Sequence, residues 1–162
     1  MFYNRGVTNN SGEMVGMVEL IDFLLEAKKA TYAGEGPELS PSRPSSHDLE
    51  FTRGNLRYID TYLGSEKFAG EEALWENDKP LWAMNYAGRV TVEGFSGDFL
   101  KEALLHVPAD RPFRGPEHYS DGHFTYTCTV NGDFGWFSGI EEIRAGGMKV
   151  YECMFHGGWI KQ

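Results

Sequence analysis

Apolar residues recur at helical spacing in two short segments of the chain. The first segment predicts a helix from Met17 to Ala30, with apolar positions three or four residues apart and charged residues, among them Lys28, on the opposite face. The second helix is expected to begin after Ser96, whose side chain can cap its N-terminus. It is expected to run to about His106, because Pro108 lies just beyond.

Seven runs rich in aromatic and β-branched residues, bounded by Gly, Pro and Asn, predict strands. They cover residues 48–53, 56–63, 68–76, 81–90, 123–130, 136–144 and 149–156. Two stretches rich in Gly and Pro, 33–46 and 109–122, predict irregular loops. Short connections favour antiparallel meanders with the helices packed on the sheet. The expected class is therefore α+β.

The two halves of the sequence resemble each other in order. The helix segment Asp22–Ala27 matches Asp98–Ala103 at five of six positions, and the motif Phe-x-Gly-x-Glu begins at both Phe68 and Phe137. Such ordered self-similarity indicates repetition. We predict an internal duplication of a helix plus a three-strand antiparallel meander, with the two units related by a pseudo-two-fold axis.

The duplication defines the predicted domain organisation. One domain is expected over 15–162, with repeats at about 15–93 and 94–162, because neither half alone buries enough surface to be stable. Residues 1–14 are polar and rich in Asn and Gly. They are predicted to form a disordered leader.

Charge and cysteine content narrow the classes of partner. The net charge is −9, with 24 acidic against 15 basic residues, which disfavours direct binding to nucleic acid or to an anionic membrane. With no export signal, a cytoplasmic location is expected. There Cys128 and Cys153 are predicted to be reduced core residues, the alternative being a disulfide.

Glu72 and Glu141 are the strongest candidates for chemistry. Each follows the motif glycine by two positions, so each shares a strand face with that glycine and with large apolar residues. A carboxylate on an apolar face is costly unless it is paired or hydrogen-bonded. One interpretation puts both in a cleft at the pseudo-axis, as an acid/base pair or as ligand anchors. The other makes each a scaffold residue satisfied by local donors.

The two irregular loops supply the second group of candidates. Loops of this length in compact domains are often functional. In an acidic chain they hold a set of basic residues that could frame an anion site: Arg43, His47, Arg111, Arg114 and His118. The alternative is scattered surface charge.

A third candidate group consists of aromatic residues on two strand faces. Trp82 and Tyr86 alternate on one strand, and Tyr151 and Phe155 alternate on its counterpart. These side chains are expected in the core, with an aromatic wall for a small ligand as the alternative. No metal-ligand, phosphate-binding or nucleophile motif occurs, so neither a metal nor a cofactor is predicted.

Several short motifs carry a resemblance to a known family. These motifs are Leu20–Leu24, Tyr32–Gly34, Ser46–Leu49, Tyr58–Asp60, Phe68–Glu72, Trp82–Tyr86, Gly94–Leu100 and His156–Gly158. Together they resemble a bacterial family defined only as a domain of unknown function, and the resemblance covers about residues 17–161. Its members occur alone or behind a helix-turn-helix DNA-binding module, which implies a sensor role but no specific binding residues.

Three functions remain open from the sequence. The favoured one is a small-molecule-binding or regulatory module with a cleft between the repeats. The alternatives are an enzyme using Glu72 and Glu141 as acid and base, and an acidic protein-binding partner of the immunity or antitoxin type. A symmetric homodimer through a sheet edge also remains open.

Overall fold

The structure, a computed structural model, describes residues 7–8 and 14–161 of the chain. Strand β1 (Val7–Thr8) pairs antiparallel with β2 (Met14–Val15). The leader predicted for residues 1–14 lies for the most part outside the described residues.

Two helices and eight longer strands make up the rest of the described chain. Helix α1 (Met17–Ala30) has the predicted bounds, and α2 (Gly97–Leu105) begins after Ser96, whose hydroxyl accepts the backbone N–H of Phe99 at 3.2 Å. The α+β class is confirmed. The strands are β3 (His47–Arg53), β4 (Leu56–Gly64), β5 (Lys67–Glu76), β6 (Lys79–Val90), β7 (His118–Asp121), β8 (Phe124–Asp133), β9 (Trp136–Ala145) and β10 (Met148–Trp159).

The eight longer strands form one antiparallel sheet in the order β3-β4-β5-β6-β10-β9-β8-β7. Strands β3 to β6 form a four-strand meander, and β7 to β10 add four more strands. The predicted unit of one helix and three strands is therefore wrong. Strand β7 lies in a stretch predicted to be irregular, where His118–Asp121 pairs with β8. This architecture does not by itself establish the internal duplication. The halves meet where β6 pairs with β10, with Tyr86 opposite Phe155.

Both helices contribute to a single core against the sheet. Leu20, Phe23 and Leu24 of α1 and Phe99 and Leu100 of α2 are buried. They pack with aromatic side chains that alternate along the strands, as the period of two requires. Neither described helix is long and apolar enough to cross a membrane.

Lys28 departs from the predicted helix faces. The sequence pattern put it on the solvent side of α1, yet its residue is only 7% exposed. Its ammonium group turns toward the sheet and forms a salt bridge with Glu72 of β5. A buried charge is tolerated when it is paired and hydrogen-bonded, and this pairing explains the misplacement.

Candidate functional site

A cavity of about 220 Å³ lies between helices α1 and α2 and strands β4 to β6. Its rim includes His47 and the turn residues Gly64 and Ser65, which are the more exposed parts of the lining. Its walls are mainly aromatic and its deepest groups are charged. The wall residues include Tyr32, Tyr58, Tyr62, Phe68, Tyr86 and Phe113.

Lys28 and Glu72 form one ion pair in the floor of this cavity. The Lys28 ammonium donates to the Glu72 carboxylate and, at 2.7 Å, to the backbone carbonyl of Phe113. Glu72 is also 3.8 Å from a guanidinium nitrogen of Arg114. Glu72 therefore faces two cations, and its charge is compensated within the protein.

Arg114 and Glu141 form a second ion pair behind the first. Two guanidinium nitrogens of Arg114 donate to Glu141 Oε1, at 3.1 and 2.7 Å. The hydroxyls of Tyr126 and Tyr151 also donate to this carboxylate. Glu141 is 0% exposed and does not line the cavity. Local donors therefore satisfy it completely.

Asp60 is the third carboxyl group of this buried cluster and is only 3% exposed. It lies directly opposite Glu72 in the β4–β5 register, and the Tyr86 hydroxyl donates to its Oδ1 at 2.6 Å. Burial and the charge of Glu72 raise the pKa of Asp60 from 3.8 to about 7. Asp60 forms no salt bridge with any residue of the described chain.

The buried cluster therefore contains one more acid than base. Within the part of the chain that the structure describes, Asp60, Glu72 and Glu141 face two cations, Lys28 and Arg114. Uncompensated charge is expensive in a protein interior. Near neutral pH the cluster therefore either holds a proton on Asp60 or leaves one negative charge facing the cavity.

Gly70 allows the Tyr86 side chain to reach Asp60. A Cβ on Gly70 would lie 2.5 Å from the Tyr86 hydroxyl and 2.6 Å from the Tyr62 Cβ. The space above Gly70 is therefore filled by the Tyr86 ring of the neighbouring strand. At Gly139 the ring of Phe155 lies in the equivalent place and would clash with a Cβ there.

Four of the predicted ligand-binding residues meet at the cavity. Glu72 and Arg114 are in its floor, Tyr86 is in its wall and His47 is at its rim. The His47 ring stacks on Tyr62 with centroids 4.7 Å apart. His47 of β3 and Arg114 of the loop before β7 are thus brought together with Glu72 and Tyr86, although the four residues are far apart in sequence.

The other four predicted residues lie elsewhere. Glu141 and Tyr151 are sealed behind Arg114. Trp82 is 0% exposed in the core, where its indole N–H donates to the Phe134 carbonyl at 2.9 Å. Arg43 is exposed and donates to the Thr61 hydroxyl at 2.9 Å.

Asp60 and Lys28 are site residues that sequence reasoning missed. Asp60 alternates with Tyr58 and Tyr62 along β4, which is the same carboxylate-on-an-apolar-face signal that identified Glu72. Lys28 follows Leu24 by one helical turn, so it shares the buried side of α1. Both signals were present in the sequence. The signal for Lys28, however, can be recognised only with the knowledge that an acid of the sheet lies opposite this lysine.

The two cysteines are free and buried. Burial raises the pKa of Cys128 to about 11 and that of Cys153 to about 12, so both are held as thiols. Among the described residues, no three His, Cys, Asp or Glu side chains converge as a metal site would require.

Most of the sheet that bears the cavity matches the sequence of one protein family. The family described as "Domain of unknown function (DUF5680)" matches residues 60–160, more than half of the chain. The chain belongs to this family. The DUF5680 match begins at Asp60 and includes Glu72, Tyr86 and Arg114, whereas Lys28 precedes it. No curated protein and no solved structure gives a match.

Proposed function

We propose that this DUF5680 chain is a small-molecule-binding module whose ligand occupies the cavity beside Asp60. One observation carries the proposal, namely a buried carboxyl group that forms no salt bridge with any described residue and faces a cavity with aromatic walls. Binding sites are typically apolar pockets with a few convergent polar groups and perturbed pKa values. The lining around Asp60 has this composition.

The cavity volume favours a ligand with a single ring. An apolar cavity of about 150 Å³ is large enough to bind benzene. At about 220 Å³, the cavity has room for a ring with a short polar substituent. Its charged floor then accepts the polar end of the ligand, and the tyrosine walls contact the ring.

The proposal gives Glu72 and Glu141 no joint role as acid and base. Glu141 is 0% exposed and accepts from Arg114, Tyr126 and Tyr151. A catalytic acid or base must be within hydrogen-bonding reach of its substrate. Only Glu72 of the two lines the cavity.

We further propose that the two halves arose by duplication and that only the first developed a site. Matching register positions support this idea. Glu72 lies opposite Asp60 in β4, whereas Glu141 lies opposite Cys128 in β8. The second half therefore lacks the extra carboxyl group that the cavity requires.

A regulatory, sensor-type role is the form of binding that we favour. The resemblance to domains joined to helix-turn-helix modules implies it. The loop that carries Phe113 and Arg114 supports it, because Arg114 contacts Glu72 in one half and Glu141 in the other. A ligand at the floor would therefore act on a residue shared by both halves.

Two neighbouring turn residues provide the test. Ser65 is exposed and lines the cavity rim, whereas Glu66 is exposed in the same turn but does not line it. Neutral, cationic and anionic single-ring fragments would be screened by saturation-transfer NMR. We expect binders whose signals are lost in Ser65→Trp and retained in Glu66→Trp. No binders, or binders that Ser65→Trp leaves unaffected, would contradict the proposal.

A further inference from the structure

We infer that the ligand carries an ammonium group that pairs with Asp60. This inference rests on the proposed function and assigns the ligand its chemical class, a small amine with a single ring.

Charge balance is the first support. With all five groups ionised, Asp60, Glu72 and Glu141 exceed Lys28 and Arg114 by one negative charge. A bound ammonium group would bring this cluster to neutrality. Opposite charges attract more strongly where water is excluded, so the pairing is favoured at this depth.

The two cations of the floor are already engaged. Lys28 donates to Glu72 and to the Phe113 carbonyl, and Arg114 donates twice to Glu141. An anionic ligand would have to compete with these carboxylates and would raise the excess negative charge of the cluster. The same geometry therefore disfavours a carboxylate or phosphate ligand.

The aromatic walls favour a cation. Cations are attracted to the faces of aromatic rings within about 6 Å of the centroid. The site already contains one such contact, with the Arg114 guanidinium 5.2 Å from the centroid of the Tyr86 ring. Tyr32, Tyr62 and Phe68 provide further rings around the remaining space.

The charge of the whole chain acts in the same direction. A net charge of −9 attracts cations toward the protein and repels anions. Such a field raises the association rate of oppositely charged ligands, and it is screened by salt. An amine would therefore reach the cavity faster than an acid of the same size.

The ammonium pairing makes binding dependent on pH. The charged or titratable groups around Asp60 are Tyr58 and Tyr62 of its own strand β4, Glu72 of β5, Tyr86 of β6, Lys28 of α1, Tyr32 just after α1, Arg114 of the loop before β7 and His47 at the rim. Below about pH 7 Asp60 is mostly protonated, so an ammonium ligand must displace that proton. Affinity should fall about tenfold between pH 8 and pH 6.

Isothermal titration calorimetry with three matched probes tests the inference. Benzylamine is the cationic probe, benzyl alcohol the neutral one and benzoate the anionic one. We expect benzylamine to bind most tightly to the unaltered protein and at least tenfold more weakly to Asp60→Asn. Glu76→Gln is the control, because the Glu76 carboxyl group at the end of β5 is also buried but lies outside the cavity. It should leave the affinity unchanged.

Proton release provides a second measurement that needs no variant. At pH 6, titrations in buffers of different ionisation enthalpy should show nearly one proton released per benzylamine bound, and at pH 8 almost none. This result would support the inference even if Asp60→Asn failed to fold. A pH-independent affinity with no proton release would overturn it.

The outcomes separate the ligand class from the proposed function. If benzyl alcohol or benzoate binds as well as benzylamine and Ser65→Trp abolishes that binding, the ammonium inference fails while the binding function stands. The same holds if only other fragments bind in the cavity. If no probe and no fragment binds there, both fail.

Discussion

Asp60 and Glu72 lie directly opposite each other on adjacent strands, an arrangement in which like charges destabilise a sheet. Lys28 compensates the charge of Glu72. The electrostatic cost of placing two acids side by side therefore appears as a higher free energy of ionised Asp60. Burial and the charge of Glu72 raise its pKa to about 7. A group with this property in a cavity is the chemical centre of the proposed site.

The raised pKa predicts how stability changes with pH. Because the folded pKa of Asp60 exceeds the unfolded value of 3.8, folding favours the protonated form, and stability is lost as pH rises from about 4 through 7. A rise of this size corresponds to roughly 4 kcal/mol. Asp60→Asn mimics the protonated acid and should remove this loss. Urea denaturation should show the variant more stable than the parent at pH 8 and similar at pH 4.

The same comparison can contradict the account. If the parent and Asp60→Asn show parallel stability profiles between pH 4 and pH 8, Asp60 does not titrate in this window. Glu66→Gln serves as the control for an exposed carboxyl group outside the cavity. It should not reproduce the crossover.

At the residue scale, the sequence identified the acids better than their partners. Alternation along a strand was enough to place Glu72 on the buried face, and the same rule applies to Asp60. It could not show that Glu141 is sealed, since this depends on Arg114 of a distant loop and on Tyr151 of another strand. Pairing between distant residues is not encoded in local periodicity.

At the element scale, the positions of two glycines determine where aromatic side chains of β6 and β10 can cross the neighbouring strand. The Tyr86 ring crosses β5 above Gly70, and the Phe155 ring crosses β9 above Gly139. The two elements use the same packing, but only Tyr86 carries a hydroxyl that reaches an acid. Gly70 therefore supports the site, while Gly139 supports the core.

Alanine at these two glycines should separate packing from function. Gly70→Ala places a methyl group against the Tyr86 hydroxyl and Tyr62, and Gly139→Ala places one against Phe155. Each is expected to destabilise the protein by about 1–3 kcal/mol in urea denaturation. Only Gly70→Ala should also weaken benzylamine binding, by displacing Tyr86 from Asp60. Equal binding by both variants would argue against the role of Tyr86.

The N-terminus of α2 offers a prediction on local stability. The Ser96 hydroxyl accepts the backbone N–H of Phe99, whereas Gly16 at the start of α1 offers no side-chain cap. Ser96→Ala should cost about 1 kcal/mol, and Ser96→Asp should retain most of the stability. Thermal denaturation of the two variants measures the difference. Equal losses in both would show that the cap contributes little.

Element boundaries were largely predictable, and the exception has a physical cause. The periodicity of α1 and the capping signal of α2 gave helices that the structure confirms. Strand β7 was missed because His118–Asp121 is short, polar and mostly exposed, and it pairs only with β8. An edge strand of this kind has no alternating apolar pattern to detect.

At the scale of the whole molecule, the loop between α2 and β7 ties the two halves together. The Phe113 carbonyl accepts from Lys28 of α1, and Arg114 lies between Glu72 and Glu141. Together with the β6–β10 pairing, these contacts predict that the halves unfold as one cooperative unit.

Arg114 and Arg111 provide a matched pair for testing this role. Arg114→Met leaves Glu141 buried without its cation and should cost about 3–5 kcal/mol. Arg111 is a partly exposed arginine of the same loop that donates to the Cys128 carbonyl, so Arg111→Met should cost about 1 kcal/mol. Urea denaturation at pH 7 gives both values. Similar small losses would mean that Arg114 does not hold the halves together.

The joining of the halves could not be predicted from the sequence. Local patterns indicated strands and short turns, but the contact between β6 and β10 brings together residues more than 60 positions apart. The cavity arises from the same long-range geometry, since α1, β4, β5, β6 and the loop before β7 each contribute lining.

The titration of the Asp60 carboxyl carbon by NMR tests the central claim most directly. The protein would be labelled with ¹³C and followed from pH 4 to pH 9, with the Asp60→Asn spectrum assigning the signal. The account predicts a midpoint near 7, moving to lower pH when benzylamine is added. A midpoint near 4 would contradict it, because Asp60 would then already be balanced or hydrated and the cavity would lack its unpaired charge.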